Sequence, residues 1–435
     1  MIGRSTQARD LRIFIQYMPM EYGSSHAMAG QTTQSGQLPA VRRREFLAFS
    51  PPSLTYREEE AAVRAIRSGW LTSGPLVKSF EAAVQQKVRA DSALAVNSCT
   101  AATECALAAL GVGPGDAVIT SAMTFVSTAH AIGRVGATPI LTDVEPDTLN
   151  IDVDRLEGAR RRALSAGLAV RAVLPVHYGG HPVRLDEVHQ FADRHGLAVV
   201  EDAAHAIGAS YKGTPIGATR NASHAVAFSF YATKNLAAGE GGMLTGDQTL
   251  IDEARLWSLH GMSRDAWKRY GQGGSWFYDV IRPGFKCNMT DIAAAIGLTQ
   301  LERFDGMQQR RREIVGRYTS ELSPLGIFDL PTADADVDHA WHLYPVKLRP
   351  NCLRLDRDAF IEELTRRNIG SSVHFIPVHL HRYYAEKFGY LPDDFPVTMS
   401  AYRRLISLPL SAAHSDQDIS DVIDTVADIA EEFAK

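Results

Sequence analysis

Lys234 stands in Phe228-Ser229-Phe230-Tyr231-Ala232-Thr233-Lys234-Asn235, just past a strongly apolar run and shortly before Gly239, Gly241 and Gly242. A lysine at the mouth of a buried strand is a poor packing choice. It suits a nucleophile whose ammonium is destabilised by partial burial or by a cationic neighbour. A second apolar run, Val199-Val200, ends in Glu201-Asp202-Ala203-Ala204-His205. Open α/β sheets gather ligands at such strand ends, and a carboxylate there can keep a heteroaromatic nitrogen protonated, which makes the ring an electron sink. Asn97-Ser98-Cys99-Thr100-Ala101 lies between a strand and a helix start. Small residues in that place let backbone N–H groups approach an anion at the positive end of the helix. Ser229 can offer a hydroxyl to the same anion, and Phe125, in Thr124-Phe125-Val126-Ser127, presents a flat face. Taken singly each has a plainer reading: a surface lysine, a metal-binding or helix-capping aspartate, an N-cap by Ser98 or Thr100, a core phenylalanine.

The elements that must position these residues can be read from apolar patterning. Thr55-x-x-Glu58 reads as a capping box opening a helix that ends before Gly69. Strands are expected over 92–96, 117–120, 139–144, 170–176, 197–200, 225–230 and 242–245, with helices over 101–110 and 185–195. Nearly continuous apolar strands alternating with helices predict a mostly parallel sheet buried between helices. Past Leu301 the pattern changes: a helix over 310–322, a strand over 341–348, a helix over 357–368, a strand over 373–376 and an amphipathic helix over 419–433. These predict a smaller α+β domain. The division expected is 1–45 as a mobile extension (or a start codon placed too far upstream), 46–305 as the large domain and 306–435 as the small one.

Composition narrows the function. The 435 residues are 45% hydrophobic and 22% charged, with net charge −5. That is a soluble globular balance without the basic footprint of a nucleic-acid binder. No run of eighteen apolar residues suggests a membrane span. Arg43-Arg44-Glu45-Phe46-Leu47 mimics a twin-arginine export signal, but Pro51-Pro52 and Glu58-Glu59-Glu60 come next where an apolar stretch is required. Four scattered cysteines without a C-x-x-C pair predict neither a disulfide framework nor a zinc site, and a cytoplasmic setting is the simpler reading. His177-x-x-x-His181 and His379-x-His381 lack a partner carboxylate or thiolate at ligand spacing, so no metal site is expected.

Together, Asn97-Ser98-Cys99-Thr100-Ala101, Glu201 to His205, Phe228-Ser229-Phe230 with Thr233-Lys234-Asn235, Gly239 to Gly242 and Pro283 to Asp291 resemble the DegT/StrS-type nucleotide-sugar aminotransferases. The resemblance runs in order from about Phe46 to Phe433. It implies the pyridoxal-phosphate-dependent transferase fold, aspartate-aminotransferase-like (fold type I), with pyridoxal 5'-phosphate as cofactor. Carried over residue by residue, it makes Lys234 the catalytic lysine that bears the cofactor, Asp202 the partner of the pyridine nitrogen and Phe125 the stacking ring. Thr100 with the Ala101 backbone, and Ser229, hold the phosphate, and His205 lies beside the ring. Lys286 and Asn288 belong to a segment that reaches a neighbouring subunit's site, which implies a homodimer with shared active sites. Many relatives have Asn at position 286 and Arg at 288, so which of the two meets phosphate stays open. The implied reaction moves the amino group of L-glutamate to a nucleotide-linked keto sugar. His205, where some relatives have Gln, hints at C4 of a 4-keto sugar. A keto-cyclitol aminotransferase and a non-catalytic regulatory relative are the alternatives; the lysine itself speaks against a dehydratase cousin, which carries histidine there.

Overall fold

The computed structural model describes residues 43–262 and 278–435, so nearly all of the extension expected over 1–45 lies outside the described residues. Helix α1 (Tyr56–Arg67) opens on the capping box read from Thr55 and Glu58. Helix α2 (Pro75–Val88) starts with proline at its first turn, where a missing N–H costs nothing.

A seven-stranded sheet comes next. It is made of β1 (Ser92–Val96), β2 (Asp116–Ser121), β3 (Thr138–Thr142), β4 (Ala169–Leu174), β5 (Ala198–Asp202), β8 (His224–Ser229) and β9 (Gly242–Gly246). Two short strands, β6 (Ser210–Tyr211) and β7 (Thr214–Pro215), lie between β5 and β8 in the chain and outside this sheet. The spatial order is β1-β9-β8-β5-β4-β2-β3. Only β9 runs against the rest, pairing antiparallel with both β1 and β8. The remaining pairings are parallel, as the apolar runs required.

The strands are connected through helices α3 (Cys99–Ala109), α4 (Val126–Arg134), α5 (Leu156–Ser165) and α6 (Leu185–His195), and α7 (Gln248–Ser258) leads away from β9. One core gathers Phe80, Val84, Phe191, Phe228 and Phe304, and another gathers Leu94, Cys105, Leu107, Leu244 and Ile251. The cysteines are free, with Cys105 and Cys287 side by side at Sγ···Sγ 3.7 Å.

Helix α8 (Asp291–Leu322) is a correction to the sequence reading, which opened a helix at 310. It runs for 32 residues. Its first half packs Ala294, Phe304 and Met307 into the core beside the large sheet. Its second half packs Ile314, Val315, Tyr318 and Leu322 into a separate core. The helix contains Gly297, Gly306 and Gly316. At Gly297 a Cβ would meet the Phe80 ring at 2.7 Å, so close packing explains it.

The second core holds a three-stranded sheet, β10 (Phe328–Asp329), β12 (Tyr344–Leu348) and β13 (Leu405–Leu408), in the order β10-β12-β13. Against it stand α9 (Arg357–Arg366) and α12 (Asp416–Glu432), whereas α10 (Arg382–Phe388) packs Tyr384 with Ala122, Ala129 and Leu141, and α11 (Pro396–Tyr402) packs Ala401 with Met123, Val144 and Leu405; β11 (Val337–Asp338) joins β6 and β7. The strand read over 373–376 does not form. Ser372 makes one bridge to Ser407, and the Phe375 N–H points to Met123 Sδ at 3.4 Å instead of a ladder carbonyl. Among the described residues, no helix is long and apolar enough to cross a membrane.

Candidate active site

Six strands of the large sheet point one way, and the segments at the carboxyl ends of five of them, all but β3, meet at a cavity of about 520 Å³. Thr100 comes from beyond β1, Phe125 from beyond β2, Asp202 ends β5 with His205 just after it, Ser229 ends β8, and Lys234 lies a few residues past it; all of them line this cavity. Ala101 stands one residue deeper, with its amide donating to Ser98 Oγ at 3.1 Å. Lys286 and Asn288 do not line it. Lys286 Nζ bonds Asn288 Oδ1, and Asn288 Nδ2 donates to Ser73 Oγ at 2.7 Å.

Burial pushes the Lys234 ammonium down to about 8, against the pull of Asp202 and Cys99. An amine near 8 is neutral for a useful fraction of the time at ordinary pH, whereas an exposed lysine is not. Its neighbours are fixed from several sides. Ser50 Oγ donates to the Thr233 carbonyl, and the buried Asn235 side chain donates to Ala340 O at 2.7 Å and lies 3.1 Å from His342 Nδ1.

Asp202 accepts from Thr128 Oγ1 at 2.7 Å and from the Ala204 N–H at 3.1 Å, and the Cys99 thiol lies 3.8 Å away. Burial, with Asp202 adding to it, raises the Cys99 thiol well above its usual range, so it is a protonated donor. Phe125 is the N-cap residue of α4 and is 57% exposed, a flat apolar face left open over the cavity. Ser98 caps α3, and the first amides of that helix have no carbonyl behind them. Gly242 lets β9 pass tightly beneath: a Cβ there would sit 2.3 Å from the Ser98 carbonyl carbon.

The sequence reading missed several lining residues, among them Phe49, His342, His374 and Phe375. His205, His342 and His374 form a neutral imidazole wall. Burial first, and for His205 and His374 the charge of Lys234 next, hold His205 and His342 well below the imidazole range and bring His374 to about 4. Gly179 N–H donates to His205 Nδ1 at 3.2 Å, so the ring proton sits on Nε2. The signal for these residues was faint, because His342 and His374 lie in stretches that read as ordinary strands.

Glu201 points to the opposite face from Asp202. His177 Nε2 lies 2.8 Å and His224 Nε2 2.7 Å from its carboxylate, with His189 Nε2 at 3.8 Å. Backbone N–H groups of Val183 and Arg220 occupy Nδ1 of His177 and His224, which leaves both Nε2 atoms as donors. An N–H turned toward a carboxylate is a clamp, not a metal ligand.

A deep lysine with a lowered ammonium, a carboxylate, an open aromatic face and a capped helix start fit a flat, phosphorylated, protonatable ring. With this fold they define a pyridoxal-phosphate-dependent transferase of the aspartate-aminotransferase-like type. The profile of the DegT/DnrJ/EryC1/StrS aminotransferase family matches residues 52–427, and the chain belongs to this family of pyridoxal-phosphate-dependent sugar aminotransferases. It is 48% identical over 390 residues to the spore coat polysaccharide biosynthesis protein SpsC of Bacillus subtilis, covering 89% of this chain and 98% of that one. The putative sugar aminotransferase Spr1654 from Streptococcus pneumoniae, in its PMP form, superposes with a TM-score of 0.80 at 33% identity, over 89% and 99% of the two chains. S. venezuelae DesV superposes at 0.77 with 34% identity, over 86% and 95%.

Proposed function

We propose that the chain transfers the amino group of L-glutamate to a nucleotide-linked keto sugar, at C4 of a 4-keto sugar, in the making of amino sugars for a polysaccharide or natural product. The observation that carries this reading is the pairing of Lys234, brought to about 8, with Asp202 in one cavity. The polysaccharide role in the name of the SpsC relative supports the substrate class. His205 in place of glutamine supports C4.

When bound, the cofactor supplies an electron sink conjugated to the amino carbon. Asp202 would hold the ring nitrogen, Phe125 the ring face, and Thr100 and Ser229 the phosphate. Lys234 Nζ then takes the proton from glutamate Cα and, in the second half-reaction, returns one to the sugar carbon. Positioned proton transfer of this kind contributes roughly 10²–10⁴-fold.

The reading includes a homodimer. Among the described residues lining the cavity, Lys234 is the sole lysine or arginine, and the three histidines beside it are neutral. Phosphate and carboxylate groups need further cationic partners. In this proposal Lys286 of a second copy supplies the charge and Asn288 an amide donor beside it, which agrees with their standing outside their own chain's cavity.

The test is a panel of UDP-, dTDP- and GDP-linked 4-keto sugars and a keto-inositol, each with glutamate, reading 2-oxoglutarate release. Turnover with a nucleotide 4-keto sugar is expected. Turnover with keto-inositol alone replaces this reading by the cyclitol one, and silence throughout, with no bleaching of the cofactor by glutamate, replaces it by a regulatory role.

A further inference from the structure

We propose that Thr128 is the positioning residue for Asp202: its hydroxyl, itself held by Thr124, keeps the carboxylate aimed at the ring nitrogen of the bound cofactor. The inference rests on Asp202 being the ring partner.

Thr128 Oγ1 lies 2.7 Å from Asp202 Oδ2 and 2.8 Å from Thr124 Oγ1. Thr124 and Thr128 are both buried, at 1% and 2% exposure. An ionised carboxylate only accepts, so the Thr128 hydroxyl spends its proton on Asp202, and its oxygen accepts from Thr124. The chain therefore has one direction, Thr124 to Thr128 to Asp202. The other oxygen of Asp202 is met by the Ala204 N–H at 3.1 Å. The Cys99 thiol adds little, since it lies 3.8 Å away and also approaches the Ala227 carbonyl at 3.4 Å. Thr128 is thus the one close side-chain donor to this carboxylate among the described residues.

Its place in the fold makes the assignment more than packing. Phe125 is the N-cap of α4 and Thr128 sits in the same first turn. One helix start therefore sets both what lies over the ring and what grips its edge. A carboxylate that loses its donor becomes more basic and draws the ring proton onto itself. The ring then carries less positive charge, and the Lys234 linkage to it holds its own proton to higher pH.

The experiment compares the holoenzymes of wild type, Thr128→Val, Thr128→Ser and Asp202→Asn by titrating the cofactor's absorbance through the neutral and alkaline range. In Thr128→Val the midpoint should rise by about one pH unit, the scale of one lost charge-assisted hydrogen bond. Its kcat should fall roughly tenfold with KM little changed. Thr128→Ser should behave as wild type, and Asp202→Asn should move the midpoint further in the same direction. An unmoved midpoint in Thr128→Val beside a moved one in Asp202→Asn overturns the role of Thr128 and leaves Asp202 in place. An unmoved midpoint in Asp202→Asn overturns the ring-partner reading itself. Should the valine variant not retain cofactor, the serine variant decides: a shifted midpoint there overturns the proposal.

Discussion

An ammonium held partly out of water releases its proton early, and Lys234 does so near 8 although Asp202 draws the other way. Two outcomes are expected of that one amine. Lys234→Ala should show no measurable turnover in the 2-oxoglutarate assay, because both the covalent anchor and the proton carrier are gone; full activity would refute its role. For the cofactor-free protein, only the neutral amine can attack the cofactor's aldehyde. The association rate monitored by stopped-flow absorbance should therefore rise with pH through about 8 and then level. The sign agrees with stability. A lysine whose folded value lies below 10.5 is a burden on the fold at low pH, and that burden lifts as pH rises from about 8 toward 10.5. Lys234, Asp202, Ser229 and Phe125 were legible in the sequence since each ends or comes just after an apolar strand. Thr128, His342 and His374 were not, because a buried hydroxyl or a neutral imidazole leaves no mark that distinguishes it from core.

Among elements, α1 is fastened to α8 by a buried carboxylate. Burial alone would raise Glu58, but hydrogen bonds from Thr55, then Arg303 and Gln300, bring it to about 2. Arg303 Nη1 lies 2.6 Å and Gln300 Nε2 2.8 Å from Glu58 Oε1. A carboxylate lowered from 4.5 stabilises the fold above about 4.5 and loses that contribution as pH falls toward 2. Glu58→Gln should cost roughly 2–3 kcal/mol at neutral pH in urea unfolding. It should also flatten the acid decline between those limits; an unchanged acid limb would show the clamp is unimportant. The capping box at Thr55 was readable because its spacing is local. Helix α8 was not, since Gly297 and Gly306 look like interruptions until Phe80 is seen packed against the first of them. The irregular backbone around His374 was equally hidden, because its apolar run suits a strand while its N–H groups go elsewhere.

At the scale of the whole molecule, the proposed sharing of sites can be read by complementation. Lys234→Ala and a Lys286→Ala/Asn288→Ala double variant should each be inactive or nearly so. Refolded together in equal amounts, they should regain roughly a quarter of wild-type activity, since half the dimers then hold one intact site of two. No recovery would show that Lys286 and Asn288 do not complete the neighbouring subunit's site. Helix α8 carries a further consequence. A continuous rod embedded in two apolar cores leaves no slack strand of chain between them where a bend would be cheap. Melting either core frees one end of a helix whose other end is packed in the second. Calorimetry of the cofactor-free protein should accordingly give one endotherm, and two separate ones would show that the cores melt independently. Substrate would then enter past side chains and short segments at the rim, with the two cores moving as one piece.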